Sequence, residues 1–151
     1  MSRRLTLLTL TLFSLCACAA TPPTTTTRMA PFSTDGCSLF PDRALIGNAD
    51  WRSCCVAHDH AYWRGGTVEA RLKADQTLRA CVHKATGNEA LAELMYLGVR
   101  SGGGPYYFTH YRWAYGWPYG RGYAPLTPDE EALADLLEGK AGSPSPASAG
   151  K

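Results

Sequence analysis

Four cysteines constrain the fold of this chain most strongly. They are Cys37, Cys54, Cys55 and Cys81, and they follow an N-terminal segment typical of export signals. An even number of cysteines in an exported chain favours two disulfides. Cys54 and Cys55 are adjacent and cannot readily bond to each other, so two of the three possible pairings remain. A zinc site is the alternative, although adjacent cysteines lack the usual gap between zinc ligands.

The segment 1–18 predicts export. Two arginines precede an apolar run from Leu5 to Leu15, and small residues follow it. The run is too short to span a bilayer comfortably. Its end, LCAC, is similar to the lipobox of bacterial lipoproteins, in which the last cysteine, here Cys18, becomes lipidated. We therefore expect a membrane-anchored bacterial lipoprotein. Cleavage near Ala20, which would give a periplasmic or secreted protein, is the alternative.

The charge balance argues against a nucleic-acid-binding protein. The chain has 15 Lys and Arg residues against 13 Asp and Glu residues, and two of the arginines lie in the export segment, which leaves 13 of each sign. Binding to a phosphate backbone would require a basic excess. The hydrophobic fraction of 45% and the charged fraction of 19% also exclude a wholly disordered chain and a protein with many membrane spans.

One folded domain is predicted, over residues 36–139. The range 19–35 is rich in proline and threonine and has no apolar period, so it predicts a flexible linker. The small-residue range 140–151 predicts a disordered tail.

Four helices are predicted within this domain, which makes the fold class mainly α. Each helix follows a residue that can cap an N-terminus, and each ends at or beside glycine or small polar residues. The predicted caps are Asp50, Thr67, Asn88 and Thr127, and the predicted helices end near Arg64, Ala85, Ser101 and Gly139. The Gly65-Gly66 link between the first two helices predicts that they pack antiparallel.

Side chains on these two helices are spaced to meet. Cys54, His58 and Tyr62 recur every fourth position and share one stripe of the first helix. Asp75 and Cys81 are six residues apart on the second helix. If Cys54 bonds to Cys81, then His58 and Asp75 lie about 6 Å and about 9 Å from the disulfide in the same direction. A contact between His58 and Asp75 is therefore predicted.

The segment CCVAHDHAY at residues 54–62 resembles the signature of secreted phospholipase A2 enzymes. That signature has two cysteines, two further residues, His-Asp, and a tyrosine four residues after the histidine. Ala74-Asp75, followed six residues later by Cys81, matches the second half of the family pattern. The resemblance covers about residues 36–82. It implies a small, disulfide-stabilised phospholipase A2-like domain in which two antiparallel helices carry the site.

The resemblance also implies an activity, which is calcium-dependent hydrolysis of an acyl ester of glycerophospholipids in a membrane. It implies the disulfides Cys37–Cys55 and Cys54–Cys81. A non-catalytic lipoprotein that binds lipid or an envelope partner is the first alternative. A hydrolase that acts on another ester without calcium is the second.

Three side chains would perform the chemistry. His58 would remove a proton from the attacking water, Asp75 would orient His58, and Tyr62 would support their hydrogen bonds. An ordinary helical ion pair between Asp75 and Arg71, four residues earlier, is the alternative for Asp75, and Arg71 is otherwise expected to be solvated.

The calcium ligands implied by the resemblance are the Asp59 carboxylate and the backbone carbonyls of Gly36, Ser38 and Phe40. The family's calcium loop is rich in glycine, whereas this loop keeps that character at Gly36 alone. Asp42 or another carboxylate could therefore substitute as a ligand.

Residues 105–123 contain nine of the sixteen aromatic residues of the chain. The glycines among them favour a loop or a β-hairpin over a helix. Tyrosine and tryptophan prefer the membrane–water interface, so this segment predicts either a lipid-docking surface or a wall of an acyl channel. Packing of the same side chains into a small core is the alternative.

Overall fold

The structure, a computed structural model, describes residues 28–141 and contains four helices. They are α1 (Arg52–Arg64), α2 (Val68–Thr86), α3 (Glu89–Gly102) and α4 (Pro128–Ala141). Within this range there is no strand, and no helix is long and apolar enough to cross a membrane. The prediction of a mainly α domain is confirmed. The predicted export segment, including Cys18, and residues 142–151 lie outside the described range.

The predicted capping hydrogen bonds form at three helices. The side chains of Thr67, Asn88 and Thr127 each accept a hydrogen bond from the backbone amide three residues later. Helix α1 begins at Arg52, one residue later than predicted, and the Asp50 carboxylate accepts from the Arg52 amide at 2.9 Å. The sequence rules therefore located these helix starts to within one residue.

Helices α1 and α2 pack antiparallel, because the residues that meet run in opposite directions along the two helices. A link of only three residues joins them. The contacting pairs, in order along α1, are Cys54–Cys81, His58–Asp75 and Tyr62–Arg71.

Both disulfides hold α1. Cys37–Cys55 joins the loop before α1 to that helix, and Cys54–Cys81 joins α1 to α2. This is the pairing that the resemblance implies. Cys37, Cys54, Cys55 and Cys81 are all disulfide-bonded, so the alternative of a zinc site at these residues is wrong.

The buried apolar residues form two clusters. The first surrounds Trp63 and Trp113, which are fully buried, and receives the apolar face of α4. The second surrounds the disulfides and joins α1, α2 and α3 through Cys54, Leu78 and Met95. Tyr62 belongs to the first cluster and Leu78 to the second, so the His58–Asp75 contact lies between the two.

The folded unit extends beyond its predicted ends. Met29 is only 8% exposed, the Ala30 amide donates to the Gly116 carbonyl, and the Trp63 indole donates to the Ala30 carbonyl. Residues 28–35 therefore pack on the domain, although the range 19–35 was predicted as a linker. At the other end, α4 continues to Ala141, past the predicted stop at Gly139.

The aromatic segment 105–123 forms turns without regular structure. Trp113 and Trp117 are 1% and 3% exposed and pack in the first cluster, as the core-packing alternative predicts. Tyr106 and Phe108, in contrast, are 65% and 89% exposed. The segment therefore fills the core with its tryptophans and presents part of its remaining aromatic surface to solvent.

Candidate active site

His58 and Asp75 form a buried hydrogen-bonded pair between α1 and α2. His58 Nε2 lies 2.8 Å from Asp75 Oδ1, and the two residues are 8% and 0% exposed. Burial raises the pKa of the Asp75 carboxyl, but the hydrogen bonds that it accepts outweigh burial, and the pKa lies below its ordinary value. Because an ionised carboxylate can only accept, Nε2 carries a proton, and in the neutral imidazole the lone pair is then on Nδ1.

Tyr62 completes this arrangement from the same stripe of α1. Its hydroxyl donates to Asp75 Oδ1 at 2.7 Å and accepts from Arg71 Nε at 3.0 Å. Burial and the charge of Asp75 raise the pKa of the Tyr62 hydroxyl, so this hydroxyl remains a donor. The backbone of Gly103 approaches closely, since a Cβ atom there would lie 2.7 Å from the hydroxyl oxygen. A glycine at this position allows Tyr62 to reach Asp75.

Two arginines that sequence reasoning did not assign to the site also surround Asp75. Arg100 Nη1 donates to Asp75 Oδ2 at 2.7 Å. Arg71 is 5% exposed, and its Nε atom lies 3.8 Å from the same oxygen. The ion pair between Arg71 and Asp75 therefore coexists with the His58–Asp75 contact, and the expectation that Arg71 is solvated is wrong. Arg100 is 25 residues from Asp75 in sequence, and no local pattern relates them.

Asp59 points away from this pair and towards the loop that precedes α1. Its Oδ2 accepts from the Thr34 hydroxyl at 2.6 Å. Burial raises the pKa of Asp59 to about 6, although the Thr34 hydrogen bond opposes this shift. Among the side chains that the structure describes, no lysine or arginine forms an ion pair with the Asp59 carboxylate, and Asp35 adds a second negative charge nearby.

The loop residues named as calcium ligands share a cavity with Asp59. Gly36, Ser38 and Phe40 line the same cavity as His58 and Asp59. Asp35 and Thr34 border Asp59 in a neighbouring cavity of about 250 Å³. Sequence reasoning missed these two residues because they fall in the range predicted as a linker.

Asp42 stabilises the loop that precedes α1 through hydrogen bonds, and it does not line either of the two cavities that contain Asp59. Its Oδ1 accepts from the Cys37 amide at 2.8 Å, and its Oδ2 accepts from Arg52. Gly36 has a φ of 84°, and a Cβ atom there would lie 2.4 Å from both Asp42 and Arg52. The suggestion that Asp42 substitutes as a calcium ligand is therefore not supported, because its oxygens are already engaged.

The polar atoms next to Asp59 are mainly oxygens, since the Thr34 hydroxyl bonds to it and Asp35 and Ser38 line the same cavity. The described residues contain no cluster of three His, Cys, Asp or Glu side chains that could hold a metal. A site here would therefore combine Asp59 with backbone carbonyls, hydroxyls and water, which are ligands that calcium accepts. A half-buried carboxylate without a cationic side chain beside it is consistent with such a site.

The cavity that His58 and Asp59 share is mainly apolar. Its volume is about 260 Å³, and Leu78, Leu94, Met95 and Val99 form part of its wall. Leu39 and Leu94, which also line it, are 90% and 57% exposed. The cavity can therefore accept an apolar chain next to the His58–Asp75 pair.

Comparison of the chain with protein-family models, with curated proteins and with solved structures found no match. The resemblance to phospholipase A2 therefore depends on the residues of this chain alone.

Proposed function

We propose that the protein is a calcium-dependent phospholipase A2, which hydrolyses an acyl ester of glycerophospholipids. The observation that carries the proposal is the apolar cavity shared by His58 and Asp59. It is lined both by His58, whose imidazole contacts Asp75, and by the Asp59 carboxylate. The proposed fold of residues 36–139 is accordingly phospholipase A2-like.

His58 acts as the general base in this reaction. Its Nδ1 atom removes a proton from a water molecule that attacks the ester carbonyl. Asp75 stabilises the imidazolium that forms, and the Tyr62 hydroxyl holds the Asp75 oxygen that contacts His58. His58 then returns the proton to the leaving alkoxide, and the products are a fatty acid and a lysophospholipid.

Asp59 and the carbonyls of Gly36, Ser38 and Phe40 are the proposed calcium ligands. Calcium, when bound, would neutralise the substrate phosphate and the negative charge that develops on the carbonyl oxygen. Thr34 orients the Asp59 carboxylate through its hydroxyl.

A phospholipid membrane is the proposed substrate-bearing partner. The apolar wall of the cavity suits an acyl chain, and the exposed Leu39 and Leu94 at the cavity suit contact with lipid. The proposed location is outside the cytoplasm, with the protein anchored through Cys18 or, without lipidation, periplasmic or secreted.

The test measures fatty acid released from mixed phospholipid vesicles by the purified protein, with calcium and with chelator. His58→Gln removes the base, and His83→Gln is the matched control because His83 is exposed on α2. The proposal predicts release that requires both calcium and His58 and that His83→Gln leaves unchanged.

The other outcomes select the alternatives. Release that requires His58 but resists chelator would indicate an ester hydrolase without calcium, and the Asp59 metal site would be wrong. Vesicle binding without release, from protein with both disulfides intact, would indicate a non-catalytic lipid-binding lipoprotein.

A further inference from the structure

Arg100, near the C-terminal end of α3, donates a hydrogen bond to the oxygen of Asp75 that faces away from His58. Its Nη1 atom lies 2.7 Å from Oδ2, whereas His58 and Tyr62 both contact Oδ1. We propose that Arg100 is a positioning residue for the reaction proposed above, on which this inference rests. It fixes the rotation of the Asp75 carboxylate so that Oδ1 faces His58.

The two carboxylate oxygens of Asp75 have different hydrogen-bond partners, which supports this role. A carboxylate can rotate about its Cβ–Cγ bond, and this rotation is only weakly restricted by the side chain itself. His58 and Tyr62 contact one oxygen and leave the other without a partner. Arg71 Nε lies 3.8 Å from Oδ2, which is too far for a hydrogen bond. In the described part of the chain, Arg100 therefore supplies the hydrogen bond that defines the orientation.

Arg71 and Arg100 make different sets of hydrogen bonds. Arg71 is 5% exposed and anchors several groups of the core at once. Its acceptors are the hydroxyls of Tyr62 and Tyr123 and the carbonyls of Val99 and Arg100. The Arg100 side chain is 30% exposed and contacts Asp75 through one guanidinium nitrogen. Replacing Arg100 therefore removes the Asp75 contact while the Arg71 network is retained.

The position of Arg100 in the fold also connects the pair to the cavity. Arg100 follows Val99, and Leu94, Met95 and Val99 on the same helix line the cavity beside His58. The hydrogen bond to Asp75 thus fixes the catalytic pair relative to the wall that would contact the substrate. Small displacements of a catalytic group can lower the rate strongly, by about 100-fold for about 1 Å.

The experiment compares the parent protein with Arg100→Gln and Arg100→Lys at one fixed pH. The first measurement is the proton NMR signal of the His58 Nε2–H group, which reports its hydrogen bond to Asp75. The second is kcat and KM for fatty acid release from mixed phospholipid vesicles with calcium. Arg79→Gln is the matched control, because Arg79 also joins α2 to α3 through Glu89 and Glu93 but is exposed.

We expect Arg100→Gln to weaken or remove the Nε2–H signal and to lower kcat about 10- to 100-fold, with KM unchanged. Arg100→Lys keeps a long cationic donor, whereas the glutamine amide is neutral and shorter, so Arg100→Lys should recover much of both. Arg79→Gln should change neither.

A folded Arg100→Gln protein with the parental signal or the parental kcat would overturn the proposal, as would Arg100→Lys that is no better than Arg100→Gln. If Arg100→Gln does not fold, Arg100→Met, which keeps the aliphatic stem, takes its place. The NMR signal needs no turnover. A parent that releases no fatty acid would therefore refute the proposed reaction, while the signal still decides whether Arg100 orients Asp75.

Discussion

Replacing Tyr62 with phenylalanine separates the hydrogen-bonding role of this residue from its packing role. The variant keeps the ring, which is 2% exposed and packs edge-to-face on Trp113 with ring centroids 5.0 Å apart. It loses the hydroxyl that donates to Asp75 at 2.7 Å and accepts from Arg71 at 3.0 Å. The change therefore isolates one buried polar group.

The expected loss of stability follows from the partners of this hydroxyl. A hydrogen bond to a charged group contributes about 1.5–3 kcal/mol. Arg71 can turn its Nε atom towards Asp75 Oδ2, which lies 3.8 Å away, and so recover part of the loss. We therefore expect Tyr62→Phe to lower the free energy of unfolding by about 2 kcal/mol. For a domain of this size, that corresponds to a decrease in Tm of about 8 °C.

Thermal denaturation followed by circular dichroism measures this effect, with Tyr119→Phe as the control. The Tyr119 hydroxyl donates to a neutral carbonyl, that of Tyr106, and Tyr119 is 48% exposed, so its loss should cost only about 0.5 kcal/mol. Fatty acid release by Tyr62→Phe should fall less than about 10-fold, because the 2.8 Å contact between His58 and Asp75 remains. An unchanged Tm with a large loss of release would refute this reasoning, since the hydroxyl would then contact the reactants directly.

Three further predictions concern the core, the calcium site and the disulfides. Gly103→Ala should lower the free energy of unfolding by about 1–3 kcal/mol, measured in urea, because its methyl group would lie 2.6 Å from the Tyr62 ring. Gly98→Ala, which meets no atom within 4 Å, should not lower it. In chelator, the contribution of Asp59 to the stability measured by thermal denaturation should fall as the pH rises from about 4 to about 6, because burial favours the protonated form of Asp59. Asp59→Asn should remove this part of the pH dependence. Replacing Cys54 and Cys81 together by serine opens a loop with a sequence separation of 27 and should cost about 3.5 kcal/mol in a urea titration. A smaller effect than that of opening Cys37–Cys55, with its separation of 18, would contradict the loop-closure argument.

Local patterns in the sequence were sufficient to predict the helices and the central pair. Capping residues locate helix ends because they act on amides only two or three residues away. His58 and Asp75 could be related because a two-glycine link and a disulfide fix how α1 lies on α2. These are short-range constraints, and they can be read from spacing alone.

The missed residues are connected through tertiary packing instead. Arg100 reaches Asp75 from a third helix, and its approach depends on how α3 packs on α2. Thr34 reaches Asp59 across 25 residues, from a segment whose proline and threonine content is typical of linkers. Met29 and Phe32 show no apolar period in the sequence, yet both pack in the cluster that contains Trp63.

The attachment of residues 28–35 determines how a mechanical load on the N-terminus reaches the rest of the protein. A pull on the chain before residue 28 meets Met29 and Ala30 first, where a buried side chain and hydrogen bonds of 2.7 Å and 2.8 Å resist it. Thr34, which contacts Asp59, lies four residues further on. A load applied before residue 28 therefore has to break the Ala30 contacts before it can displace Thr34 and the Asp59 carboxylate.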